Sequence, residues 1–121
     1  STANLLQAAP EIDAIWNHDD DQGVGVLAAI ENAGRDEFFM VGGAGSANMM
    51  RHIQEGDSVV EATVVYPSTQ AANGVALARL LAQDKALSDL VENEIPRQVQ
   101  LFAPVVTKEN VEEYIGSAFE S

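Results

Sequence analysis

Ile12-Asp13-Ala14-Ile15-Trp16, then Asn17-His18-Asp19-Asp20-Asp21, then Gln22-Gly23-Val24-Gly25-Val26-Leu27-Ala28-Ala29-Ile30-Glu31-Asn32-Ala33-Gly34 is the stretch that decides the fold of this chain. Its opening residues form an apolar strand, separated by Pro10 from a helix over Thr2 to Ala9 that carries Leu5, Leu6 and Ala9. Its closing residues put Val24, Leu27, Ala28 and Ile30 on one helical face, which Gly34 ends. The order is strand, polar loop, helix, and the same plan then repeats. Phe38-Phe39-Met40-Val41 reads as a strand, Gly42-Gly43-Ala44-Gly45 as a loop, and Ser46 as the N-cap of a helix with Met49, Met50 and Ile53 that stops at Gly56. In a third unit Val59 to Tyr66 is a strand, and Pro67-Ser68-Thr69 turns into an Ala- and Leu-rich helix from Gln70 to Gln83. Parallel neighbours need a crossover and a helix supplies it. The class expected is therefore α/β, a parallel Rossmann-like sheet flanked by helices. Beyond Lys85 the pattern loosens: Val99-Gln100-Leu101-Phe102 reads as a short strand, Pro104 interrupts, and Thr107 caps a last helix through Val111, Tyr114 and Ile115.

Length and composition narrow the class further. A chain of 121 residues supports one core but not two. With 46% apolar and 21% charged residues it lies well away from the composition of disordered chains. Nineteen Asp and Glu against six Lys and Arg leave a net charge of -13, whose field repels phosphate backbones and anionic headgroups, so nucleic acid is not an expected partner. No apolar run approaches the ~18 residues of a spanning helix, and the absence of Cys removes disulfides and thiolate chemistry.

In open parallel sheets ligands sit at the carboxyl ends of the strands, so the loops holding Asn17 to Asp21, Gly42 to Ser46, and Tyr66 to Thr69 are the places to search. Asp19, the first carboxylate after its strand, is read as a ligand contact. Asp20 and Asp21 serve equally as contacts or as helix N-terminal charges. Gly43 lets a guest approach the backbone, Ser46 adds a hydroxyl, and Tyr66 brings an aromatic face with a hydroxyl. Carboxylates accept from hydroxyls and an aromatic face packs on C–H, a mixture that suits a neutral sugar. Trp16 is expected to pack in the core, and His52 to face solvent or a neighbouring element. Metal and cofactor readings fail on spacing. Asp19 and Asp21 imitate the start of a calcium loop, but Gly23 comes one position early and Ile30 stands where a bidentate Glu belongs. The glycines complete neither GxGxxG nor a P-loop, no GxSxG occurs, and no base is paired with a nucleophile, so no catalytic residue is assigned.

The order of motifs resembles that of ribose-type (type I) periplasmic sugar-binding proteins. The similarity runs through Leu5-Leu6-Gln7-Ala8-Ala9-Pro10-Glu11-Ile12-Asp13-Ala14-Ile15-Trp16-Asn17-His18-Asp19-Asp20 and the Gly25 to Arg35 helix. It continues through Met40-Val41-Gly42-Gly43, Ile53-Gln54-Glu55-Gly56 with Ala62-Thr63-Val64, and Pro104-Val105-Val106-Thr107-Lys108-Glu109-Asn110-Val111. The resemblance implies an incomplete C-terminal lobe. Residues 1–66 would supply its βα units, residues 67–103 would cross toward a missing N-terminal lobe, and residues 104–121 would return. It implies a sugar or polyol receptor of an ABC importer, in the periplasm or on the cell surface as a lipoprotein, with a membrane permease as partner. Asp19 then takes the place of a ligand-contacting Asn or Asp, Asp20 stands beside it as a capping acid, and Tyr66 occupies the strand end where a Gln is common. Ala44 departs from the pattern, which has a sugar-gripping Asp there; Ser46 or the loop amides are the expected substitutes. A sheet so truncated has a raw edge, and self-association through that edge or through an exchanged helix after Pro67 is expected. The effector domain of a lactose-repressor-type regulator shares this fold and is the alternative reading. A phosphoacceptor receiver domain fits less well, because Tyr66 rather than Lys precedes Pro67 and no second acid cluster is present.

Overall fold

The computed structural model describes residues 1–83 and 98–120. In chain order its elements are α1 (Thr2–Ala8), β1 (Ala14–Trp16), α2 (Asp20–Ala33), β2 (Phe39–Ala44), α3 (Ala47–Glu55), β3 (Val60–Val65), α4 (Gln70–Ala82), β4 (Val105–Thr107) and α5 (Val111–Tyr114), with a 3-10 turn at Ile115–Ser117. The chain divides into two compact units, Ser1–Tyr66 with Pro104–Ser121, and Pro67–Ala103. The first unit holds one sheet in the order β1-β2-β3-β4. Its first three strands are parallel, joined through α2 and α3 as a parallel ladder requires, and β4 runs antiparallel to β3. In the second unit α4 has no buried residue among those described.

The core explains why the periodicities were readable. Leu6 of α1, Leu27 and Ile30 of α2, Met49, Met50 and Ile53 of α3, and Val111 of α5 close on Met40, Val60 and Val106 of the sheet in one cluster. All these helices therefore cover the same sheet face. The alternation within β2 shows the consequence: Met40 is fully buried while Phe39 before it is 44% exposed. Parallel sheets are ordinarily covered on both faces. Here, among the described residues, the opposite face carries Trp16, 75% exposed, together with exposed Phe39 and Val105. The expected core position of Trp16 is thus corrected: its strand buries Ile15 partway and turns the indole outward, where it makes a tilted ring contact with His18 at 6.0 Å. His52, on α3, pairs with Asp57 through its Nδ1 at 2.9 Å.

Other expectations also shift. Gly42-Gly43-Ala44 is not loop but the last part of β2, paired with Thr63, Val64 and Val65. A ladder bonds backbone to backbone, so it tolerates glycines where incoming side chains leave no room for a Cβ. Val99–Phe102 is not a strand: Val99 and Phe102 are exposed, and the strand forms after the proline, at Val105–Thr107. Pro104 has no N–H, but its carbonyl accepts from Val65 N–H at 2.9 Å, and fully buried Val106 then anchors the strand in the core. The last helix starts three residues later than expected, with Asn110 rather than Thr107 before it, and Asn110 Oδ1 accepts from Thr107 N–H at 2.8 Å. Both edge strands, β1 and β4, are only 3 residues long, which limits the edge available for pairing.

Arg35, just past the end of α2, holds α1 in place. Its guanidinium donates to the carbonyls of Leu6 at 2.8 Å, Ala9 at 2.7 Å and Pro10 at 3.1 Å, satisfying groups that the end of α1 leaves open, and it also pairs with Glu37. Arg35→Ala should therefore loosen α1 first. Hydrogen exchange should accelerate at the amides of Leu5 to Ala9, with little change at those of β2 and β3.

Candidate ligand-binding site

The three βα turns meet at the carboxyl ends of β1, β2 and β3. Asn17 ends the first strand with its N–H on the Val41 carbonyl at 2.9 Å, and its buried side chain donates to the Asp19 carbonyl at 2.6 Å. This bends the chain into α2. Asp19 becomes the N-cap, accepting from Asp21 N–H at 2.9 Å, and remains half-buried at the surface. One carboxylate oxygen is thus engaged with the helix, and the other is not in that bond.

Asp20, one residue on, turns the opposite way and is fully buried. Its Oδ2 accepts from Gly45 N–H at 2.9 Å, Ser46 N–H at 2.8 Å and the Thr63 hydroxyl at 2.8 Å. Oδ1 is buried and has no hydrogen-bond partner among the described residues. Burial pushes this carboxyl above the ordinary carboxylate range, against the lowering effect of the donors from Ser46, Thr63, Gly45 and Gly43. Gly42 is required beneath it, because an added Cβ would land on Oδ1 well inside van der Waals contact. Ala44 ends β2 at φ 101, a left-handed conformation that costs a non-glycine residue about 1–3 kcal/mol. The turn then continues through Gly45 at φ 84.

Ser46 is also fully buried. Its hydroxyl accepts from Met49 N–H at 3.3 Å as the N-cap of α3, and Ala47 N–H reaches the Phe119 carbonyl at 2.9 Å. The expectation that Ser46 or the loop amides grip a guest in place of an acid at Ala44 therefore has a structural obstacle: the amides of Gly45 and Ser46 already bond Asp20. Tyr66, after β3, is 38% exposed and donates from its hydroxyl to the His18 carbonyl at 3.1 Å, passing over buried Gly43. Of the residues singled out from sequence, Asp19, Gly43 and Tyr66 gather on the rim, while Asp20 and Ser46 lie behind it. Thr63, Asn17 and the carbonyls of His18 and Phe119 were missed. Only Thr63, a hydroxyl between Ala62 and Val64 of β3, left a signal in the sequence.

A family model described as a periplasmic binding protein domain matches residues 1–86. The chain belongs to that family. Solved structures of similar fold include ABC transporter solute-binding proteins. One from Mycobacterium smegmatis with bound glycerol is 24% identical, with a TM-score of 0.79 over 99% of this chain and 39% of that chain. One from Agrobacterium vitis with bound D-fucose is 21% identical, with a TM-score of 0.74 over 99% and 39%. Another from the same organism, with bound allitol, is 23% identical, with a TM-score of 0.73 over 96% and 39%. The chain thus spans about two fifths of the length of these structures. A search among curated proteins finds no match.

In this periplasmic binding protein domain the cluster around Asp20 generates two predictions. Gly42→Ala should destabilise the fold by about 3 kcal/mol, read by denaturant unfolding, because the new methyl collides with a fully packed carboxylate. Asp20 binds its proton more tightly folded than unfolded, so its contribution to stability rises as pH falls through the folded value and is complete below the ordinary value of 3.8. The melting temperature of Asp20→Asn should therefore gain less than that of the native chain between pH 7 and pH 4. That comparison removes the general relief of negative charge common to both.

Proposed function

We propose that this chain is the ligand-holding part of a sugar or polyol receptor serving an ABC importer outside the cytoplasm, with a membrane permease as its partner. The observation that carries the reading is the rim itself: Asp19, Gly43 and Tyr66 meet at the carboxyl ends of three adjacent strands, with the Tyr66 hydroxyl 3.1 Å from the His18 carbonyl. Membership in the periplasmic binding protein domain family and the carbohydrate-bound or polyol-bound structures of similar fold support it. In this reading Asp19 accepts from guest hydroxyls through the oxygen not used on α2, and the Tyr66 ring packs against C–H groups. Gly43 lets the guest come close to the backbone. Asp20 and Ser46 act from behind, holding the turn after β2 in one conformation. The two amides just before α3, of Gly45 and Ser46, are already taken by the Asp20 carboxylate, and that of Ala47 by the Phe119 carbonyl, which favours a neutral guest. The reading assigns no bond-making chemistry to any of these groups.

The full-length protein should melt at a higher temperature with at least one neutral pentose, hexose or polyol. Asp19→Asn keeps a good N-cap, so the ligand-free melting temperature should hardly move while affinity falls about tenfold through loss of a charge-assisted bond. Silence across the whole neutral panel would reject a carbohydrate receptor.

A further inference from the structure

Tyr66 does more at this rim than its place after β3 requires. Its N–H is held by the Ala44 carbonyl at 3.2 Å, which fixes the residue against the end of β2. Its side chain then crosses β2 to reach the loop after β1. Strands β1 and β3 are not neighbours in the sheet, so this hydroxyl ties together two loops that the backbone ladder leaves independent. The crossing exists only because residue 43 is glycine. A Cβ there would stand 2.7 Å from the His18 carbonyl oxygen and 2.8 Å from the Tyr66 hydroxyl, closer than carbon approaches either. Gly43 and Tyr66 are therefore one device: the missing side chain makes the path and the phenol fills it.

We propose that Tyr66 is the specificity-determining residue of this rim, an inference that rests on the receptor reading above. The direction of its hydrogen bond carries the argument. A phenol has one proton to donate and lone pairs to accept with. With the proton directed to His18, what Tyr66 offers a guest is acceptor capacity and a partly exposed ring face. Asp19 likewise offers only acceptor oxygens when ionised. The amides of Gly45 and Ser46, which could have supplied donors, are directed to Asp20. The Asp19–Tyr66 pair therefore reads protons. It bonds a guest hydroxyl that donates, and these two groups give no proton to a guest oxygen that only accepts, such as a carboxylate. The same bond steadies the loop that presents Asp19, so specificity and positioning pass through one hydroxyl.

The test compares arabinitol with arabinonate, which replaces one terminal hydroxyl carbon by a carboxylate, and L-arabinose with its methyl glycoside, on the full-length protein by calorimetry. The native protein should prefer the donor-rich member of each pair. Tyr66→Phe keeps the ring and removes the hydroxyl. It should weaken the guest that carries the extra donor hydroxyl about 3- to 10-fold and its donor-poorer partner much less, so that the preference ratio shrinks. The ligand-free melting temperature should change little, since the lost bond is exposed. Gly43→Ala drives the hydroxyl off His18 and also narrows the approach to the backbone, so it should lower affinity for all guests while reducing the same ratio, and adding Tyr66→Phe to it should shrink the ratio no further. A residue that merely supports the fold would weaken every guest in proportion and leave the ratios untouched. If the native protein binds neutral sugars and Tyr66→Phe leaves the ratios unchanged, the inference is overturned while the receptor reading stands. If the native protein binds none of the neutral guests, the receptor reading falls and takes the inference with it.

Discussion

A carboxylate placed in a protein interior must find donors or give up its charge. Asp20, at the start of α2, meets that demand by drawing two other parts of the chain onto one oxygen: the turn after β2 through Gly45 and Ser46, and the middle of β3 through Thr63. The surrounding peculiarities follow from this clasp. Gly42 cannot carry a side chain, because Asp20 occupies its space. Ala44 accepts a left-handed backbone, because the turn must present two consecutive amides to the same oxygen. Ser46 points inward, where it also starts α3. Among the described residues Oδ1 has no partner, and burial raises the proton affinity of the carboxyl in spite of the donors on Oδ2.

The rim stands on this foundation and divides its labour between adjacent residues. Asp19 and Asp20 are consecutive acids, yet one caps α2 at the surface and the other is buried beneath the neighbouring turn. Gly42 and Gly43 are consecutive glycines, yet one clears room for Asp20 and the other for Tyr66. Successive strand residues face opposite sides of a sheet, and the first residues of a helix rotate rapidly about its axis, so neighbours in sequence become members of different environments. In the proposed receptor reading, groups fixed this way are oriented before a guest arrives, which lowers the ordering cost of binding.

Among the described residues, helices cover one side of the sheet beneath the rim. Four helices close on the face that carries Met40, Val60 and Val106, and β4 completes that layer by returning beside β3 after Pro104. The opposite face keeps Trp16, Phe39 and Val105 exposed. Its apolar character reads in sequence as core, because hydrophobicity marks which surfaces are suited to burial and not which ones this stretch of chain buries.

The sequence by itself determined the class and the sites of its turns. The 3.6-residue period of Leu27 and Ile30, the apolar runs before each polar or glycine-rich turn, and the caps at Ser46, Gly34 and Gly56 are local signals, and local geometry answers to them directly. The alternation of strand and helix then required parallel pairing, which put Asp19, Gly43 and Tyr66 at one end of the sheet. Tertiary structure alone decided which way each of these residues points and what it bonds. The contacts that settle this join residues 25, 26, 43 and 48 positions apart, and no local pattern encodes a meeting at that range. For the same reason the last strand formed at Val105–Thr107 and not at the equally apolar Val99–Phe102: β3 offered its free edge only to the segment that could also bury Val106.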